Sequence, residues 1–289
     1  MNNPEQSCIT LLQDFFLQSS QSLTDSYSAC SSSLTKKNIH NLRLALKNLK
    51  AFCNLFDSIQ SRRPSKKSFS ERLEQLFILL GTLRDVQVSR RILDDFSIGL
   101  GLSYKKLRKG MSKTIKSRSE EVTQMIPELN PSSEIVQIEN KLQRFTTRNT
   151  DETKNRKLIC KYLLTSLNNI QVMLKLRQSE RVLHTIRANV KSLFYMYQIF
   201  SREKWILELV PVEEELLNHF QLELGEWHDL VVLKHLVREL RPRDHVKNRK
   251  LLKYKILDDS IRKKHQSMIR SIKKTIVPHF SLLQIPKTY

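Results

Sequence analysis

Two stretches of this chain match two others without gaps at one fixed offset of 144 residues, which spans nearly half of the 289-residue chain. Ile39–Phe56 (IHNLRLALKNLKAFCNLF) aligns on Leu183–Phe200 (LHTIRANVKSLFYMYQIF), sharing His40/His184, Arg43/Arg187, Lys47/Lys191, Leu49/Leu193 and Phe56/Phe200. Leu80–Leu93 (LGTLRDVQVSRRIL) aligns on Leu224–Val237 (LGEWHDLVVLKHLV), sharing Leu80/Leu224, Gly81/Gly225, Asp85/Asp229 and Val88/Val232. Two separated blocks agreeing on one offset point to an internal duplication, so the fold must let two copies of one unit bury the same apolar pattern.

That pattern is helical. Ile159, Leu163, Leu167, Ile170 and Leu174 follow steps of three and four within Asp151–Arg177, and Leu12, Phe15, Phe16, Leu23 and Tyr27 occupy the counterpart near the N-terminus. Only five glycines and eight prolines occur, too few for the turns of an all-β chain. Pro64 separates a helix near Lys36–Ile59 from one near Phe69–Phe96. Ser97–Gly101 interrupts before a basic helix ending near Met125. In the second unit Pro211 separates helices near Glu180–Glu208 and Val212–Leu240, and Pro242 precedes a basic helix reaching about Ile276. The expectation is an all-α protein of two tandem four-helix bundles, residues 1–126 and 151–289, joined by a linker over 127–150 that carries an extra helix near Ser132–Arg148.

The formal charge is +21, from 50 Lys and Arg against 29 Asp and Glu. Such a chain repels itself and suits a polyanionic partner: nucleic acid, an anionic membrane or a polymeric phosphate. The four cysteines (Cys8, Cys30, Cys53, Cys160) have neither metal-site nor redox spacing and read as small buried apolar residues. No basic leader precedes an apolar run and no stretch of 18 apolar residues occurs, so a cytoplasmic protein without a transmembrane segment is expected.

The repeated blocks carry the chemistry. On a helix, His40, Arg43, Lys47 and Lys50 fall within an arc of roughly 80°. His184, Arg187 and Lys191 form the same stripe, with Phe194 in the place of Lys50. One such stripe would ordinarily be a solvated face; its recurrence favours a site for anions. Asp85 and Asp229 each follow a glycine by one turn and are placed to orient the His or Arg of a neighbouring helix, or else to form surface ion pairs. Arg84 and Arg91 add cations one heptad apart, answered by His228 and His235. Further clusters, Lys105, Lys106, Arg108, Lys109, Lys113 and Lys116, then Lys247, Arg249, Lys250, Lys253 and Lys255, lie on the fourth helix of each unit.

The doubled pattern, IHNLRLALKNLKAFCNLF before LGTLRD and LHTIRANVKSLFYMYQIF before LGEWHD, resembles the conserved histidine α-helical domain, or CHAD, family. The resemblance covers nearly the whole chain and identifies it as a stand-alone member, since the Glu-x-Glu-x-Lys signature of the triphosphate-tunnel domain found fused to some relatives is missing. It implies two four-helix bundles related by pseudo-twofold symmetry and non-catalytic binding of inorganic polyphosphate in a basic groove or cavity. It places the anion contacts on His40, Arg43, Lys47, His184, Arg187 and Lys191, and implies association with polyphosphate granules or polyphosphate-metabolising enzymes. Lys50, Arg84, Arg91 and His228 extend the candidate set; Asp85 and Asp229 support it. No cofactor or metal is expected.

Two other readings compete. His184, His228-Asp229 and Asp258 or Asp259 mimic the ligand order of an HD-type metal-dependent phosphohydrolase, but the first copy has Arg84-Asp85 where the HD pair would stand. Nonspecific nucleic-acid binding fits the charge, yet aromatic residues make up only 7% and do not alternate with basic ones as a stacking platform requires, so no specific nucleic-acid partner is expected. If histidine contributes charge to phosphate binding, affinity should be higher near pH 6 than pH 8.

Overall fold

The computed structural model describes residues 7–60, 67–176, 179–200, 203–241 and 248–284, without the side chains of 207 and 248–251. Helices run in the order α1 (Cys8–Ser32), α2 (Lys36–Ile59), α3 (Glu71–Gly99), α4 (Lys105–Met125), α5 (Ser132–Arg148), α6 (Glu152–Lys175), α7 (Glu180–Phe200), α8 (Lys204–Leu209), α9 (Glu214–Leu240), α10 (Asn248–Ser271) and α11 (Val277–Leu282). The chain is all-helical, with no strand among the described residues. Pro64, Pro242, Arg177 and Lys247, and the side chains of Arg249 and Lys250, lie outside what is described.

Local chemistry sets the helix ends. Ser7, Thr35, Ser70 and Asp151 cap α1, α2, α3 and α6, each side chain accepting from the backbone N–H three residues on. Glu71 and Glu74 in the first turn of α3 suit the positive end of its dipole. The α3 helix runs past the expected break at Ser97 and stops at Gly99. Gly101 then takes φ +61, and Leu102 N–H donates back to the Ser97 carbonyl. The helix expected over Glu180–Glu208 is two, α7 and the short α8. The C-terminal basic helix loosens into a π turn at Ile272–Ile276 just ahead of Pro278, which has no N–H to offer.

Helix starts recur at the offset of 144 that relates the sequence blocks: α1 with α6 and α2 with α7, then α3 with α9 to within one residue. The first pair of that register meets directly. Cys8 N–H, in the first turn of α1, donates to both carboxylate oxygens of Glu152, its counterpart in the first turn of α6, at 3.0 and 3.1 Å.

One apolar core joins both halves. Leu46, Phe52 and Phe56 of α2, Leu163 and Leu167 of α6, Leu193 and Phe200 of α7, and Trp227 of α9 are all buried in it. The α5 helix also docks there through Ile138, Leu142 and Phe145, with Phe145 edge-on to Phe56 at 5.4 Å. A second, smaller core brings α3 and α4 against α9 and α10 around Met111, Leu233 and Leu257, with Tyr104 donating to the Lys253 carbonyl. All four cysteines are buried free thiols.

Candidate anion-binding site

The α2 helix packs on α3 and α7, and α9 packs on the same two, so four helices close a ring. Each carries one of the repeated sequence blocks. The ring brings residues 144 apart into mutual range: Arg43 acts on Arg187, Lys47 on Lys191, and Asp85 on Asp229. Residues that match at the offset thus meet one another within the ring.

Arg43 is held by groups other than the carboxylates. Arg43 Nη1 donates to the Phe77 carbonyl at 2.8 Å, and its guanidinium lies 4.7 Å from the centre of the Phe77 ring. A Cβ at Gly81 would stand 2.7 Å from that same Nη1, so the glycine makes room for the guanidinium. At Gly225 a Cβ would meet nothing within 4 Å. Among the described residues no ion pair within 4.0 Å joins Asp85 or Asp229 to an arginine of the cluster. Both carboxylates are pushed above their ordinary range by burial, against the pull of Arg187 and Lys191. They act through their field and leave Arg43 oriented by Phe77.

Half-burial and mutual repulsion set the protonation of the lysines. Burial first, then Arg43 and Arg187, lowers Lys47 to about 8. Burial, Arg187, Lys47 and Arg43 together lower Lys191 to about 6. Histidine moves the same way. His228 is lowered to about 3 by burial and by Arg187, His184, Lys191 and Arg43. Burial also lowers His40, aided by Arg84, Lys47 and Arg43, and His184, where Glu180 opposes. All three imidazoles are thus shifted toward the neutral form, and the two lysines, at about 6 and about 8, flank neutral pH. Two polar atoms in the cluster, His228 Nδ1 and Arg187 Nε, are buried without a hydrogen-bond partner among the described residues.

Not every candidate joins the cluster. Lys50 pairs with Glu74 at 2.5 Å and sits over the rings of Phe69 and Phe77. Arg84 is half-buried and acts on His40 and Asp229, whereas Arg91 is exposed, about 10 Å further along α3. Of the fourth-helix cations, Arg108 pairs with Asp94 at 2.6 Å, Lys253 lies 4.8 Å over the Tyr104 ring, and Lys105, Lys106, Lys109 and Lys113 are exposed. The residues of the metal-hydrolase order are dispersed: Asp258 pairs with Arg241 and Asp259 with Arg262.

The structure adds residues that repetition does not reveal. Tyr195 acts on Arg187. Trp227 lies tilted against His184, ring centres 4.8 Å apart, and donates its Nε1–H to His265 Nε2 at 2.9 Å. His184 also meets His228 edge-on at 5.1 Å. Phe77, Tyr195, Trp227 and His265 correspond at the offset to Gln221, Ala51, Leu83 and Glu121, so a search for repeated residues passes over all of them.

A family model, CHAD domain, matches residues 28–238, which contain the whole cluster. The chain belongs to the CHAD domain family. The crystal structure of the CHAD domain from the plant Ricinus communis matches the fold with a TM-score of 0.71 over 99% of this chain and 96% of that one, at 16% sequence identity. A comparison with curated proteins gives no match. In this CHAD domain the ring α2, α3, α7 and α9 lies inside the matched span except for the last two residues of α9.

Proposed function

We propose that this chain arose by duplication and is a non-catalytic binder of inorganic polyphosphate, its basic groove lying where the α2–α7 and α3–α9 pairs meet. One observation carries the reading: Arg43, Lys47, Arg187 and Lys191 converge half-buried, and among the described residues no carboxylate forms an ion pair with them. Desolvated cations that repel one another are costly, and an entering anion removes that cost. A phosphate chain presents acceptor oxygens and no base edges, which suits Arg and Lys contacts without sequence readout. The cytoplasm, at polyphosphate granules, is the setting this binding fits. The metal-phosphohydrolase reading is weakened by the separate pairing of Asp258 and Asp259, and no described group of three or more His, Cys, Asp or Glu residues is arranged for a metal.

The test is calorimetric titration of polyphosphate into wild type and the Arg43→Ala/Arg187→Ala double variant at fixed salt. Loss of two charge-assisted contacts should weaken binding by about 100-fold. Unchanged affinity in the double variant would move the site elsewhere. Competition against single-stranded DNA at physiological salt separates polyphosphate recognition from charge alone.

A further inference from the structure

A second basic site lies away from the ring. The C-terminal end of α2, the outer face of α5 and the first turn of α6 enclose a cleft of about 620 Å³, lined by Gln60, Lys141, Arg144, Arg148 and Lys154, with Phe145 as an apolar floor. Lys141, Arg144 and Arg148 follow one another at three and four residues, so they share one face of α5. Among the described residues none of the four cations has an ion-pair partner within 4.0 Å. Lys141 reaches only the Ser68 hydroxyl, at 3.4 Å. The Nε2 of Gln60 is buried and has no acceptor among the described residues.

Ordinary structural reasons cover part of this. Arg148 in the last turn of α5 suits the negative end of that helix dipole. Asp57 near Lys141 is engaged by the backbone N–H and hydroxyl of Ser68, and Asp151 caps α6 through Lys154 N–H, so two carboxylates border the cleft. Even so, four cations outnumber two carboxylates, and neither the dipole nor those acids account for a buried amide donor at the same place. We infer that this cleft is a second anion-binding site, for a short linear oligophosphate gripped by Arg144 and Arg148, with Gln60 donating to one of its oxygens. Gln60 lies about 25 Å along α2 from Arg43, so the site is separate from the ring and its existence does not depend on what the ring binds.

The probe is tripolyphosphate, and the readout is lysine acetylation followed by mass spectrometry on the full chain. Lys141 and Lys154 should be protected in wild type. In Arg144→Ala/Arg148→Ala, whose altered side chains are exposed, binding at the cleft should weaken about tenfold and protection there should fall, while protection of Lys47 persists. Gln60→Leu should weaken protection at Lys141 and Lys154 without changing that at Lys47. Lys141 and Lys154 reacting equally with and without tripolyphosphate would overturn the inference, as would undiminished protection in the double variant. Protection at Lys141 and Lys154 with none at Lys47 would support the cleft and count against the ring.

Discussion

Polyphosphate binding should draw a proton onto Lys191. In the free protein Lys191 titrates at about 6, under burial and the charges of Arg187 on its own helix and Lys47 and Arg43 on α2. Asp229 on α9 and Asp85 on α3 oppose them only in part. At pH 6 about half of the molecules carry that charge, and at pH 8 about one in a hundred. If the bound chain holds Lys191 protonated throughout, affinity falls by ~50-fold between pH 6 and pH 8, or about 2 kcal/mol. Lys47, at about 8, adds a factor of ~2 in the same direction. The assay is calorimetry at constant salt with a long chain, whose interior phosphates keep their charge over this range. Repeating it in two buffers of different ionisation enthalpy counts the protons taken up, which should approach one for Lys191 at pH 8. Lys191→Met should bind more weakly at pH 6 and lose most of the slope. A wild-type affinity constant across this window, or an unchanged slope in Lys191→Met, would refute the reasoning. The direction is the one expected from histidine chemistry, with Lys191 as the carrier, because burial first and then the neighbouring cations lower the imidazoles in the free protein.

Other outcomes test the remaining geometry. Without ligand, thermal stability should rise from pH 6 to pH 9: an unfolded lysine keeps its proton up to about 10.5 whereas folded Lys191 has already lost it, so the unfolded chain binds more protons in this window. Lys191→Met should flatten that rise in a melting series. Gly81→Ala should weaken polyphosphate binding by displacing Arg43 from Phe77, while Gly225→Ala should leave binding intact and gain up to about 1 kcal/mol in helix propensity, read by denaturant titration. Lys50→Ala should change affinity less than twofold, since Lys50 is already paired with Glu74, and its stability cost should stay within about 1 kcal/mol.

The sequence alone determined the helical character, most helix boundaries and the residue types that the ring carries. Apolar spacing and capping residues are local properties, so α2 and α5 fall on the expected spans Lys36–Ile59 and Ser132–Arg148. The repeat picked out His40, Arg43, Lys47, His184, Arg187 and Lys191 because a solvated face has no need of the same residue types twice. The tertiary structure decided which of these cations are left without a partner. Lys50 and Arg43 share one stripe, yet one finds Glu74 and the other a carbonyl, a difference set by α3. Protonation was equally out of reach, because it depends on burial and on charges 144 residues away. Tyr195, Trp227 and the α5 cleft have no counterpart in the repeat, and only the packing of distant segments brings them to a site.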